Sequence, residues 1–137
     1  MNTTDFLNMV AGNVFGSKTS PALPTSYWLG LSTTAPAVAG TGASEPSGGS
    51  YARVQLSNTN LGDPTAGVVK NDVEITFPES TSSWGKITHY VIYDKKDAAG
   101  SKLLMYGALT QPRTVETGTT MRIKVGELSL SALNPAE

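Results

Sequence analysis

The stretch ITFPESTSSWGKITHYVIYDKKDAAGSKLLMYGAL, residues 75–109, holds the densest apolar and aromatic sequence of the chain. Residues 86–93 and 102–110 are rich in β-branched and aromatic side chains, and the polar run DKKDAAGS (94–101) separates them. That pattern predicts a β-hairpin, with Gly100 near the end of the loop to take a backbone angle other residues resist. A lone hairpin is marginal in water. Its faces need cover, and further strands are expected to supply it.

Downstream, Gln111, Pro112 and Arg113 read as a turn. Glu116, Thr117 and Gly118 form another, and then Met121, Ile123 and Val125 alternate with Arg122 and Lys124. Leu128 and Leu130 alternate with serines in a last strand, and residues 134–137 carry no pattern. Upstream, residues 68–77 read as one strand in which Val73, Ile75 and Phe77 face inward and Asp72, Glu74 and Thr76 face out. Pro78 stops it, since proline cannot donate to a ladder. Residues 51–56 read as a strand with Ala52, Val54 and Leu56 inward and Arg53 and Gln55 outward. Residues 27–31 form another, with Tyr27, Leu29 and Leu31 on one face and Trp28 and Gly30 on the other. Gly30 inside a strand suggests a close approach or a bulge. Between these two strands, residues 32–50 form a long Pro/Gly/Ala-rich loop, and loops of that length are usually functional or disordered.

Residues 4–15 are the one predicted helix. Thr3 or Thr4 can cap it, Asp5 sits where the helix dipole favours a carboxylate, and Gly16 suits the C-terminal cap. Phe6, Val10 and Val14 repeat every four residues, joined by Leu7 and Met9, so one side is apolar. A helix of about 12 residues is marginal alone and needs a surface. That surface is either its own sheet or a neighbouring subunit, which makes Phe6, Leu7, Val10 and Val14 candidate partner-docking residues. Residues 1–16 are thus part of the domain or a docking element, and residues 17–137 are the β-sandwich domain. Short strands between turn clusters, one short N-terminal helix and no βαβ alternation predict a mainly β fold. The expected form is an antiparallel sandwich, jelly-roll or immunoglobulin-like.

At 137 residues the chain suits one hydrophobic core. Charged residues make up only 15% and the net charge is −1, so the surface is rich in Ser, Thr, Asn and Gly, and no basic stripe invites nucleic acid. Cysteine is absent, which removes disulfides and thiolate chemistry. No apolar run approaches the roughly 20 residues that span a bilayer, and the first residues lack the pattern of a secretory signal, so no membrane partner is expected.

His89 is the sole histidine. A zinc site or catalytic dyad would draw on a second His or a Cys, so a hydrogen-bonded strand histidine is the expected role. Asp94 and Asp97 share a loop, but Lys95 and Lys96 between them oppose a cation, and a solvated hairpin tip is expected instead. The glycine and serine patterns of nucleotide sites and hydrolases are missing. No catalytic, cofactor or metal residue is therefore expected. Trp28 and Trp84 are candidate glycan-stacking residues. The competing role for Trp84 and Tyr90 is the ordinary one, packing in the sheet.

In order along the chain, the pieces resemble a family of small bacteriophage virion proteins often labelled tail-fibre or structural. Those pieces are the helix with its glycine end, YWLGLSTTAP (27–36), EPSGGSYARV (45–54), ITFP (75–78), WGKITHYVIYD (84–94), LLMYGAL (103–109) and the ending 118–130. The resemblance implies a non-enzymatic structural protein of the virion, assembled in the host cytoplasm. Its implied partners are copies of itself and other virion proteins. A stand-alone domain without a fibrous shaft leans to a capsid decoration (cement) protein, whereas the family label leans to a tail or tail-fibre component contacting the host. A carbohydrate-binding module is the alternative of a different class.

Overall fold

A computed structural model of the chain describes residues 1–16 and 22–131. Residues 17–21, after the helix, and the unpatterned tail lie outside the described residues. Within them are one helix, α1 (Thr4–Phe15), and eight strands. These are β1 (Tyr27–Ser32), β2 (Val54–Leu56), β3 (Val68–Lys70), β4 (Ile75–Thr76), β5 (Gly85–Tyr93), β6 (Leu103–Val115), β7 (Arg122–Ile123) and β8 (Ser129–Ser131).

The expected hairpin is the centre of the topology. β5 and β6 pair antiparallel, and the loop between them closes as Asp94 Oδ1 accepts from the Lys102 N–H at 2.7 Å. The other late strands nest around it: β4 pairs with β7 and β3 with β8, both antiparallel, as in one long hairpin folded over. β1 and β2 complete a four-stranded sheet of order β2-β1-β5-β6. The two small ribbons cover one face of that sheet. Ile75, Phe77, Met121, Ile123 and Leu128 meet Leu29, Leu31, Ile87, Ile92, Leu109 and Val115 in one core. The fold is mainly β, sandwich-like and not a closed barrel.

Two glycines are required by close approach. Gly107 lies directly opposite Tyr90, whose ring lies over it, and a Cβ there would sit 2.5 Å from Tyr90 Cζ. At Gly30 a Cβ would come within 2.7 Å of the Tyr51 hydroxyl, so the close approach expected from sequence is present.

Four expectations are corrected. Residues 68–77 are not one strand. Asn71 is buried at the break and redirects the chain: its Nδ2 donates to the Val73 and Lys124 carbonyls, and its Oδ1 accepts from the Leu128 N–H. Val73 is consequently exposed, and Val125 is exposed as well, in the turn after β7. Pro112 does not turn the chain. β6 runs through it, and the ladder steps from His89↔Ala108 to Ile87↔Arg113, so Thr88 faces the four residues 109–112. Proline fits there because such a bulge leaves its nitrogen outside the ladder.

Arg53 does not face solvent. Its side chain is 4% exposed, on the sheet face away from the ribbons, because the long loop folds over that face. The loop is built rather than loose: Thr33 N–H donates to Ser44 O, Ala37 N–H to Thr41 O, and Ser44 N–H to Ser32 Oγ. Alternation along a strand assumes one wet face, and this loop removes it.

Candidate functional site

The N-terminal segment is rooted in its own sheet. Thr3 is extended and caps α1, its hydroxyl accepting from the Phe6 N–H while donating to Leu103 O at 2.8 Å. Its backbone N–H donates to Leu104 O, and Tyr106 N–H donates to Met1 O, so residues 1–3 lie along the outer edge of β6. That covers part of an edge which would otherwise offer unpaired backbone groups. The Met1 amino group donates to Tyr106 O, and burial lowers its pKa. Thr4 N–H donates to Val38 O at the tip of the long loop. Phe6 and Met9 then pack on Leu104, with Val10, Tyr27 and Met105 around them, and the Phe6 and Tyr27 rings meet edge to face.

The other end of the helix carries exposed apolar side chains. Val14 is 68% exposed and Phe15 87% exposed. The last turn carries no basic residue, and Gly16 closes it in the left-handed region at φ 78°, its N–H on Gly12 O. Helical geometry explains the split. At 100° per residue, Val14 is rotated about 80° from Phe6 and Phe15 about 180°. The face that meets Leu104 therefore passes out of contact before the helix ends.

The four candidate docking residues consequently divide. Phe6 is consumed by the chain's own core, Leu7 and Val10 are half-buried, and Val14 is exposed. Phe15, which the period assigns to no apolar face, is the most exposed of the large hydrophobic side chains described. The signal in sequence was a phenylalanine on the polar side of an amphipathic helix.

Beside Phe6 opens a groove of about 330 Å³, between α1, β2, β3 and β8. Its walls are apolar: Leu56, Leu61, Val69, Met105 and Leu130 with Tyr27. A second recess, of about 460 Å³, lies on the far face of the sheet and is polar, lined by Asp5, Glu45, Arg53, Tyr93, Ser101 and Lys102. Arg53 is its fixed element. Its guanidinium pairs with Glu45 at 2.8 Å, donates to Lys95 O at 2.7 Å, and lies 3.7 Å from the Tyr93 ring centroid. The pair ties the long loop to the hairpin tip. Burial, and then the Glu45 carboxylate, raise the pKa values of the Tyr51 and Tyr93 hydroxyls. Tyr51 accepts the Leu31 N–H at 2.9 Å where β2 no longer reaches β1.

The two tryptophans differ. Trp84 is 4% exposed, its indole N–H donates to Gly49 O at 2.9 Å, and its ring meets Tyr51 edge to face. Its ring is already used for packing the long loop. Trp28 is half-buried and donates to Ser26 Oγ. The two rings are not brought together on one platform by the strand pattern, since Trp28 pairs with Gln55 and Tyr93 while Trp84 precedes β5.

His89 lies in β5 opposite Ser32 and Ala108, with Nδ1 at 2.8 Å from Thr88 Oγ1, and burial lowers its pKa. Glu45, Glu74 and Glu127 each pair with an arginine, respectively Arg53, Arg122 and Arg113. Among the described residues no group of three or more metal-binding side chains occurs, and no helix is long and apolar enough to cross a membrane.

The family model described as "Podophage GP4 fiber I protein gp80" matches residues 2–131. No match is found among curated proteins. A match over nearly the whole chain shows the family: the protein belongs to this family of bacteriophage fibre proteins, in keeping with the virion resemblance carried by its sequence.

Proposed function

With membership of a phage fibre family as the premise, we propose that this chain is a fibre component of the phage tail, working by binding and not by catalysis. The observation that carries this is the match to a fibre-protein family over residues 2–131. It favours the tail over capsid decoration. The geometry is in keeping. Carboxylates Glu45, Glu74 and Glu127 are held by arginines, and the large exposed side chains on α1 are apolar ones of the kind that contact other proteins. The partners in this reading are other virion proteins and further copies of the chain.

Copy number tests the placement. Quantitative mass spectrometry of purified particles, scaled to the major capsid protein, is expected to find a few to a few tens of copies per particle. Hundreds of copies, tracking the capsid lattice, would return the chain to a decoration role.

A further inference from the structure

We infer that the polar recess on the far face of the sheet binds one neutral saccharide unit, held by Asp5, Tyr93, Ser101 and Lys102. The inference goes beyond the fibre reading and does not depend on it.

Three distant parts of the chain wall the recess, and each is fixed. The long loop is tied down where Glu45 pairs with Arg53 at 2.8 Å. The hairpin tip is held by Arg53 Nη1, which donates to Lys95 O at 2.7 Å and to Asp97 O at 3.3 Å. The start of α1 is anchored through Thr3 on Leu103 O and Thr4 on Val38 O. The site is therefore formed before a ligand arrives, and little ordering of the chain opposes binding. Its volume of about 460 Å³ falls within the roughly 300–1,000 Å³ usual for small-molecule sites.

The lining selects the ligand. Its described charged residues are two acids, Asp5 and Glu45, and two bases, Arg53 and Lys102, so their formal charges cancel. An anion or a cation meets a like charge there, and an apolar ligand would strip water from these groups without replacing it. Arg53 and Glu45 satisfy each other, whereas Asp5 and Lys102 belong to none of the three ion pairs described. The Tyr93 hydroxyl has no hydrogen bond among the described residues, and burial with the Glu45 carboxylate keeps it protonated. Ser101 Oγ donates to Ala98 O, which leaves its lone pairs to accept. The recess thus offers a carboxylate that accepts, an ammonium that donates and hydroxyl oxygens that accept. A sugar ring is neutral, and each of its hydroxyls both donates and accepts. The remaining lining, with Ala39, Gly40, Ala43 and Leu103, is small or apolar and suits the C–H faces of such a ring.

Nuclear magnetic resonance of the 15N-labelled full chain tests it. The probes are glucose, galactose, mannose, rhamnose and N-acetylglucosamine, each titrated alone. A lone sugar ring in a small site is expected to bind at roughly millimolar Kd, so each titration runs to about 50 mM. Inorganic phosphate, choline and glycine serve as the anion, the cation and the zwitterion. At least one sugar should move the amides of Gly40, Ala43, Ser101 and Lys102 saturably, and the three controls should not. Tyr93→Phe keeps the ring beside Arg53 and removes the hydroxyl, and Asp5→Asn removes the carboxylate charge. Each should weaken the binding about fivefold or more, the order of one lost hydrogen bond. Each variant's own spectrum away from the recess checks its fold. Lys102→Gln, at an exposed position, replaces Tyr93→Phe if that one is not folded. A panel in which no sugar moves these amides overturns the site. So do sugar shifts that map elsewhere, a control that binds the recess as strongly, or folded variants that bind like the parent. None of these results touches the copy number in the particle, so failure here is separable from failure of the fibre reading.

Discussion

The two ends of α1 make opposite uses of similar side chains. At the first turn, Thr3, Phe6 and Met9 are held by Leu103 and Leu104 of β6 and by Tyr27 of β1. Beneath that turn, the long loop delivers Val38 O to Thr4, and Glu45 of the same loop is locked by Arg53. Two turns later, Val14 and Phe15 touch little and stand in water. Exposing a phenylalanine and a valine together contributes nothing to folding of the single chain. What the difference teaches is that the helix is fixed by one end, so that its other end is presented in a set direction.

The largest test of that contrast is to remove the rooted aromatic. Phe6→Ala should cost about 3 kcal/mol in the range typical of buried phenylalanine truncations, tempered because the groove beside it is open. Urea unfolding followed by tryptophan fluorescence would measure it. A loss under about 1 kcal/mol would mean that the first turn is not rooted as described.

Arg53→Ala attacks the support beneath the same turn. It leaves the Glu45 carboxylate, with 18% of its side chain exposed, without its cation. The expected cost is about 3 kcal/mol, the lower end for breaking a buried pair. The double change Arg53→Met with Glu45→Leu should recover most of it, since removing both charges removes the stranded one.

Thr3→Ala should cost about 1 kcal/mol through loss of the cap. Hydrogen exchange should place the effect at the start of α1, leaving the β5–β6 hairpin protected.

A smaller effect concerns pH. Burial lowers the pKa of His89, so the folded state favours the neutral ring. The unfolded chain then binds more protons just below pH ~6.5, and stability rises with pH through that window. His89→Gln should flatten that part of the stability profile relative to the parent while leaving Thr88 in place. A steeper profile in the variant would reverse the assignment.

The smallest expected change is at the exposed end. Phe15→Lys should shift monomer stability by no more than about 0.5 kcal/mol, as for surface positions away from special features. A loss comparable to that of Phe6→Ala would erase the contrast between the two ends.

The parts of the fold written in local periodicity were legible. Helix bounds at Thr4 and Phe15 followed from the caps and the four-residue repeat, and the β5–β6 hairpin from two β-rich runs around a polar loop. What was not legible depended on residues distant in the chain. Arg53 reads as an outward strand position until a loop 8 residues upstream supplies Glu45 and covers the face. Asn71 looks like an ordinary polar position, yet its side chain bonds Lys124 and Leu128 across more than 50 residues. Pro112 carries a turn signal, but pairing to β5 on both sides carries the strand through it. Of the candidate docking residues, period alone could not say where the helix leaves its sheet. That point is fixed by the length of contact with Leu104, and it separates Phe6 from Val14.

The most direct measurement is the position of the chain on the particle. Antibody to the purified protein, coupled to gold and applied to intact virions, should label the tail fibres and leave the head bare. Gold spread evenly over the head would contradict the fibre role.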